Sequence, residues 1–155
     1  MIDFTLYTAN CCGDSSNCVY PNKAHITDSA SFVAAIKQDH VCAAYKNNYR
    51  SNDNFLKTDV LPMDCDNDHS DDPKDWIYPL DVVMAFPEVS LLVSYSRNNM
   101  KVKNGKAARP KFHVYFPIPT MTDGKAYAEL KKRIQEFFPY FDADALGEAR
   151  FLYGT

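Results

Sequence analysis

The sequence contains no apolar run of about 18 residues, the length a helix needs to cross a bilayer, so no membrane span is expected. Its start, Met1-Ile2-Asp3-Phe4, lacks the basic residues and apolar stretch of a signal peptide, and a cytoplasmic protein is the expectation. No Cys-x-x-Cys pair occurs among the five cysteines, Cys11, Cys12, Cys18, Cys42 and Cys65. Zinc ligands normally come in tight pairs. The nearest approach to such a set, Cys11 or Cys12 with Cys18 and His25, is looser than that, so free buried thiols are expected. There is no internal repeat and no low-complexity linker, and a single domain over residues 1–155 is the reading. Positive charge is not in excess either. A formal net charge of −3 argues against a protein that coats nucleic acid by bulk charge.

What is present is apolar material and segregated charge. A hydrophobic fraction of 46% and an aromatic fraction of 14% are enough for a packed core, which excludes global disorder. Residues 64–81 hold seven acids (Asp64, Asp66, Asp68, Asp71, Asp72, Asp75, Asp81) against one base, Lys74. Residues 97–111 hold six bases (Arg97, Lys101, Lys103, Lys106, Arg109, Lys111) and no acid. The plain reading of such blocks is a pair of solvated loops. The functional reading is an acidic cluster for metal beside a basic strip for phosphates.

Periodicity and end signals place the elements. Strands are expected over residues 4–8, 41–46, 59–66, 90–96 (a buried-looking one), 111–118 and, briefly, 149–153. Helices are expected over 31–38, capped by Asp28 or Ser29 with a stripe of Phe32, Val33 and Ile36; over 80–86; and over 124–138. The last is capped by Thr122 or Asp123, carries Tyr127, Leu130, Ile134 and Phe137 on one face, and ends at Pro139. Residues 9–23 and the basic segment 97–110 read as loops, the latter mobile, and 75–79 as a turn. Strands without strict alternation with helices imply an α+β fold with a largely antiparallel sheet.

Strand geometry then suggests a site. In Leu61-Pro62-Met63-Asp64-Cys65-Asp66, alternation puts Leu61, Met63 and Cys65 on one face and Asp64 and Asp66 on the other, about 6.5–7 Å apart. Two such carboxylates repel, and divalent metal relieves the repulsion. Alone, the pair reads more readily as a strand ending in a polar turn. In Lys111-Phe112-His113-Val114-Tyr115-Phe116 the polar face carries Lys111, His113 and Tyr115, groups suited to a triphosphate. Asp142, after an aromatic run, is the first choice for a third carboxylate; Asp144 is the other, unless it caps a helix over 145–149. Arg150 is available to pair with a carboxylate or a phosphate. Arg50 and Arg97, at the ends of apolar segments, are candidate nucleotide or template contacts, with ordinary surface arginine as the alternative. Trp76 and Tyr78 read as core or staple residues more than as base-stacking ones.

In order, Leu61-Pro62-Met63-Asp64-Cys65-Asp66-Asn67, then Arg109-Pro110-Lys111-Phe112-His113-Val114-Tyr115-Phe116-Pro117, then Phe141-Asp142 followed by Ala149-Arg150-Phe151, resemble the motifs of the archaeo-eukaryotic primase superfamily, in particular phage and mobile-element primase–polymerases. The resemblance runs from about Tyr7 to the last residue. It implies an RRM-like sheet with flanking helices plus a smaller α/β unit. It also implies template-directed nucleotidyl transfer with Mg²⁺ or Mn²⁺ in a two-metal site, in replication of a phage or mobile element. Asp64, Asp66 and Asp142 would be the metal ligands, with His113 on the triphosphate of the incoming nucleotide. Lys111 departs from the pattern, which usually has Ser there; lysine meets a phosphate as a point charge rather than a hydroxyl donor. The implied partners are nucleoside triphosphates, a single-stranded DNA template and primer, and a helicase domain or protein. On this reading the chain is either a fragment of a longer protein or a minimal stand-alone domain, working in the host cytoplasm if phage-encoded.

Two other readings differ in class. A metal-dependent nuclease or nicking initiator on an RRM-like sheet would need a His-x-His pair, and His25, His40, His69 and His113 are isolated. A catalytically degenerate domain that only binds nucleotide or nucleic acid would keep the fold without the chemistry.

Overall fold

The structure, a computed structural model, describes residues 1–155. Eight strands and three helices follow one another as β1 (Phe4–Thr8), β2 (Asn22–Ile26), α1 (Ser29–Ala35), β3 (His40–Val41), β4 (Ala43–Tyr45), β5 (Phe55–Cys65), α2 (Pro79–Ala85), β6 (Leu92–Tyr95), β7 (Phe112–Met121), α3 (Gly124–Phe137) and β8 (Phe151–Leu152). They form two four-stranded sheets, ordered β2-β1-β3-β8 and β4-β5-β7-β6. Every strand pairing is antiparallel, so the fold is α+β as expected.

The long pair β5–β7 organises the molecule, running in register from Val60 opposite Pro117 to Cys65 opposite Phe112. Its alternation is the one the sequence implies. Leu61, Met63 and Cys65 join Phe112, Val114 and Phe116 in a cluster with Val82 of α2 and Tyr127 of α3. The opposite face is also covered: Val60 and Tyr115 pack with Phe4, Leu6, Ile26 and Phe32 of the other sheet and α1. A sheet buried on both faces has no solvated side. Over the buried stretch, residues 60–65 of β5 and 112–116 of β7, a polar group must therefore find a partner inside the protein.

The helix starts obey their caps. The Asp28 side chain accepts from the Ser31 N–H, and Asp123 accepts from the Lys125 and Ala126 N–H groups. Pro79 opens α2, where its missing N–H costs nothing. The stripes differ in one position each. In α1 Phe32 and Ile36 are buried but Val33 is exposed, with Ala35 taking the inner place. In α3 Tyr127 is buried, but Phe137 is 83% exposed, and Phe138 enters the aromatic cluster with Phe86, Tyr140 and Phe141 instead.

Other differences have tertiary causes. The strand expected over 41–46 is split at Cys42, because the chain leaves one sheet and enters the other there. β2 falls partly in the expected loop; Asn22, Lys23 and His25 are exposed on an edge strand, which shows no apolar alternation. β6 is a half-exposed edge rather than a buried strand, with Tyr95 at the surface. The basic segment adds no strand to either sheet but is hydrogen-bonded: the Met100 N–H donates to the Arg109 carbonyl at 2.9 Å. The thiols are free, but only Cys42 and Cys65 are buried, and Cys12 is exposed.

Candidate active site

Asp64 and His113 stand directly opposite each other at the end of the β5–β7 pair. Alternation turns both side chains away from the aromatic cluster, and His113 Nδ1 lies 2.8 Å from Asp64 Oδ1. The other carboxylate oxygen, Oδ2, accepts from Arg150, which precedes β8 in the neighbouring sheet. Asp64 is thus buried, 4% exposed, with a ring nitrogen on one oxygen and a guanidinium on the other.

The remaining acids gather beside it. β5 ends at Cys65, so Asp66 lies just past the strand and is half-buried. The backbone N–H of Asp142 donates to the Asp64 carbonyl oxygen at 2.9 Å, which pins the chain after α3 against the end of β5. A cleft of about 130 Å³ opens over this corner. Asp64, Asp66, Lys111, His113, Lys103 and Arg150 line its polar side, and Phe151 and Tyr153 line its aromatic side. Sites that enclose a small-molecule ligand usually measure about 300–1,000 Å³. A phosphate-sized group fits inside this one, and a larger ligand would extend into solvent.

No protein-family model matches the chain, and no curated protein is similar to it. Its fold resembles a phage primase–polymerase domain. One similar solved structure is the AEP domain of the primase–polymerase of cyanophage S-2L, with a TM-score of 0.50 at 14% identity, over 98% of this chain and 72% of that one. At that identity the likeness is one of fold.

The electrostatics of the corner divide its acids. Burial alone would raise Asp64, but the charges and hydrogen bonds of His113 and Arg150 outweigh it and hold the carboxyl well below the usual range. Asp66 is raised, first by burial, with Asp64 adding to the effect and Lys111 opposing it. Asp142 is pushed up to about 8 by burial and by the negative charges of Asp66 and Asp64. One acid is therefore satisfied, and the other two are raised by burial and by like charge beside them. No group of three His, Cys, Asp or Glu side chains stands close enough together to hold a metal ion.

The other expected residues fall variously. Lys111 lines the cleft; it is 7% exposed, and its ammonium is 3.9 Å from Asp68. Arg50 and Arg97 do not line the cleft. Arg50 donates to the Ala149 carbonyl and lies over the Phe151 ring, while Arg97 lies 4.3 Å from the centre of the Tyr153 ring. Both stand behind the aromatic side of the cleft. Asp144 is exposed, and no helix follows it to cap.

Three features escape a sequence reading. Residues 149–153 read as a short strand, but nothing in that pattern says that Phe151 and Tyr153 line a cleft. Arg109, counted in the basic block, is 1% exposed and donates to the carbonyls of Asn67 and Ser70 and to Asp71. It clamps the acidic segment that follows β5. His40, fully buried, donates through Nδ1 to the Gln38 carbonyl and accepts from the Tyr115 hydroxyl at 2.7 Å. That pair supports β7 from below, two residues from His113.

Proposed function

We propose that this chain is a nucleotidyltransferase domain of the primase–polymerase kind, which joins nucleoside triphosphates along a single-stranded DNA template in the presence of Mg²⁺ or Mn²⁺. The observation that carries the reading is the convergence of Asp64 and Asp66 with His113, Lys111 and Arg150 in one cleft, with Asp142 outside its lining but pinned to Asp64 through the backbone, in a fold like that of a phage primase–polymerase domain.

The donor set fits a divalent ion in its chemistry. Asp66 and Asp142 are raised acids that repel each other, the condition a bound cation relieves. Asp66 and Asp142, with Asp64, would hold it once their side chains draw together, because as they stand no three acids are close enough to share an ion. When bound, such an ion neutralises phosphate charge and lowers the proton affinity of an attacking hydroxyl. The chain's own residues do the rest. His113, Lys111 and Lys103 present positive or donor groups to a triphosphate entering the cleft. Arg150 sits on Asp64 and is one-third exposed, so it can also meet a phosphate oxygen. Transfer by this route is positioning plus charge stabilisation and needs no side chain as general base.

Primer synthesis and extension with either metal test the reading. Wild type should be active, and Asp66→Ala and Asp142→Ala should each lower turnover at least a hundredfold. Equal rates for wild type and the Asp64→Ala/Asp66→Ala variant would sink it. A second reading draws on the full occupation of Asp64 by His113 and Arg150 and on the absence of a three-residue metal cluster. It makes the chain a binding domain without chemistry. Nucleotide affinity that ignores both metal and Asp66→Ala would favour it.

A further inference from the structure

The six bases between Arg97 and Lys111 do not act alike. Arg109 is buried in the clamp on the acidic segment, Lys111 lies inside the cleft wall, and Arg97 is laid over Tyr153. Lys101, Lys103 and Lys106 remain on the solvent side. Of these, only Lys106 has an acidic partner, Asp68 at 3.4 Å, and that pair is half-exposed on both sides. Exposed pairs of this kind contribute little to stability, so a phosphate can compete for the lysine.

These lysines sit on a built projection. The Ser96 N–H donates to the Lys111 carbonyl, the Met100 N–H to that of Arg109, and Lys103 and Lys106 exchange backbone bonds at 3.3 and 3.0 Å. The Asn99 side chain accepts from the Lys111 N–H at 2.9 Å. The tip is Asn104-Gly105, with φ of 53° and 73°. Positive φ at both central residues is what a type I′ hairpin turn requires. Beyond the Ser96–Lys111 bond the chain turns over residues 97–100, with Met100 at φ 55°, and closes in this short hairpin, where Lys103 lines the cleft and Lys106 reaches Asp68. Met100 and Val102, 55% and 73% exposed, interleave with Lys101 and Lys103 along the chain.

We infer that this hairpin is the docking arm for a single-stranded nucleic acid, with Lys101, Lys103 and Lys106 on its phosphates and Met100 and Val102 against unstacked bases. Phosphate contacts by lysine supply sequence-independent affinity. Apolar side chains gain most from base faces that a duplex keeps stacked. A net charge of −3 makes the rest of the surface a poor competitor for the strand. The orientation of the strand toward Asp64 rests on the nucleotidyl-transfer reading; the binding itself does not.

The test is fluorescence anisotropy of labelled oligothymidine with the full chain, in EDTA and without nucleotide, across a salt series. Replacing Lys101, Lys103 and Lys106 together by Ala should weaken binding more than tenfold at low salt. It should also flatten the slope of log affinity against log salt by about 2, at about 0.7 per lost single-strand contact. The control variant Lys125→Ala/Lys132→Ala/Arg133→Ala, on the exposed side of α3, should bind as wild type does. Unchanged affinity and slope in the hairpin variant, an equal loss in the α3 variant, or tighter binding of a duplex than of the single strand would each overturn the assignment. A wild type that binds the strand but joins no nucleotides would refute the proposed activity and leave the arm standing.

Discussion

Asp64 illustrates what a buried charge demands of its neighbours. Removing a carboxylate from water is costly unless both oxygens are met, and here a histidine and an arginine meet them. Arg150→Ala would leave one oxygen of a nearly inaccessible carboxylate unpaired. The expected loss is about 1–3 kcal/mol in denaturant unfolding, the usual cost of an unsatisfied buried group, at the lower end because water can reach a site whose arginine is one-third exposed. Arg150→Lys should recover part of it, since the charge returns without the planar fork. Equal stability of the Ala variant and wild type would show that the pair contributes nothing. At this scale the sequence was informative about residue types and faces, since alternation put Asp64 and His113 on one side before any register was known. It says less about partners: it offers Arg150 to any carboxylate or phosphate, with nothing to single out Asp64. That Arg109 is a clamp and Lys103 a cleft residue depends on a hairpin whose residues look like any basic loop.

Among the elements, β8 is with β3 the shortest, at two residues, yet it places Arg150, Phe151 and Tyr153 around the cleft. Two residues of ladder cannot hold it alone, and Asp39 is the latch. Fully buried, its carboxylate accepts from the Gly154 N–H at 2.8 Å, the Gly13 N–H at 2.8 Å and the Asp14 N–H at 2.9 Å. Gly154 is needed for this approach, because a Cβ there would press on the Lys37 carbonyl oxygen and lie 2.7 Å from Cys12 Sγ. Asp39→Ala strands three donors and should cost about 3 kcal/mol or more, with faster amide exchange at Gly154 than at β5. Exchange rates that rise equally in both places would mean that the latch acts on the whole fold and not on β8. The same scale shows why some elements were legible and others not. Caps at Asp28 and Asp123 and alternation along β5 and β7 are local signals, and they located those elements to within a few residues. β2 has no such signal, because a polar edge strand is defined by its partner β1. Phe137 and Phe138 are adjacent aromatics, and only packing against Phe86 decides which one turns inward.

Across the whole molecule, the acids and bases at the site make stability depend on pH in a direction that can be worked out. His40 is held down to about 4 by burial, against an ordinary value of 6.5. The unfolded chain therefore binds the extra proton between those values, and stability is lost as pH falls through them. Above pH 6.5 His40 is neutral in both states and contributes no slope. Asp142 acts oppositely: its folded value, about 8, lies above the ordinary 3.8, so the folded state holds the proton and stability falls as pH rises toward 8. Between pH 6.5 and 8 the decline from Asp142 should stand alone of these two, and Asp66, raised by the same burial, leans the same way. In EDTA, wild type should lose thermal stability across that window, on the order of a few kcal/mol. Asp142→Asn should be nearly flat there and more stable than wild type at pH 8, because it removes a charge from Asp66 as well. Adding Mn²⁺ at pH 8 should raise the melting temperature of wild type and do far less for the Asn variant, since a cation binds the charged pair that the proton otherwise quenches. Parallel slopes for wild type and variant in EDTA, or an equal Mn²⁺ response, would mean that Asp142 neither carries the proton nor holds the metal, and the acid corner would lose its claim to be a metal site.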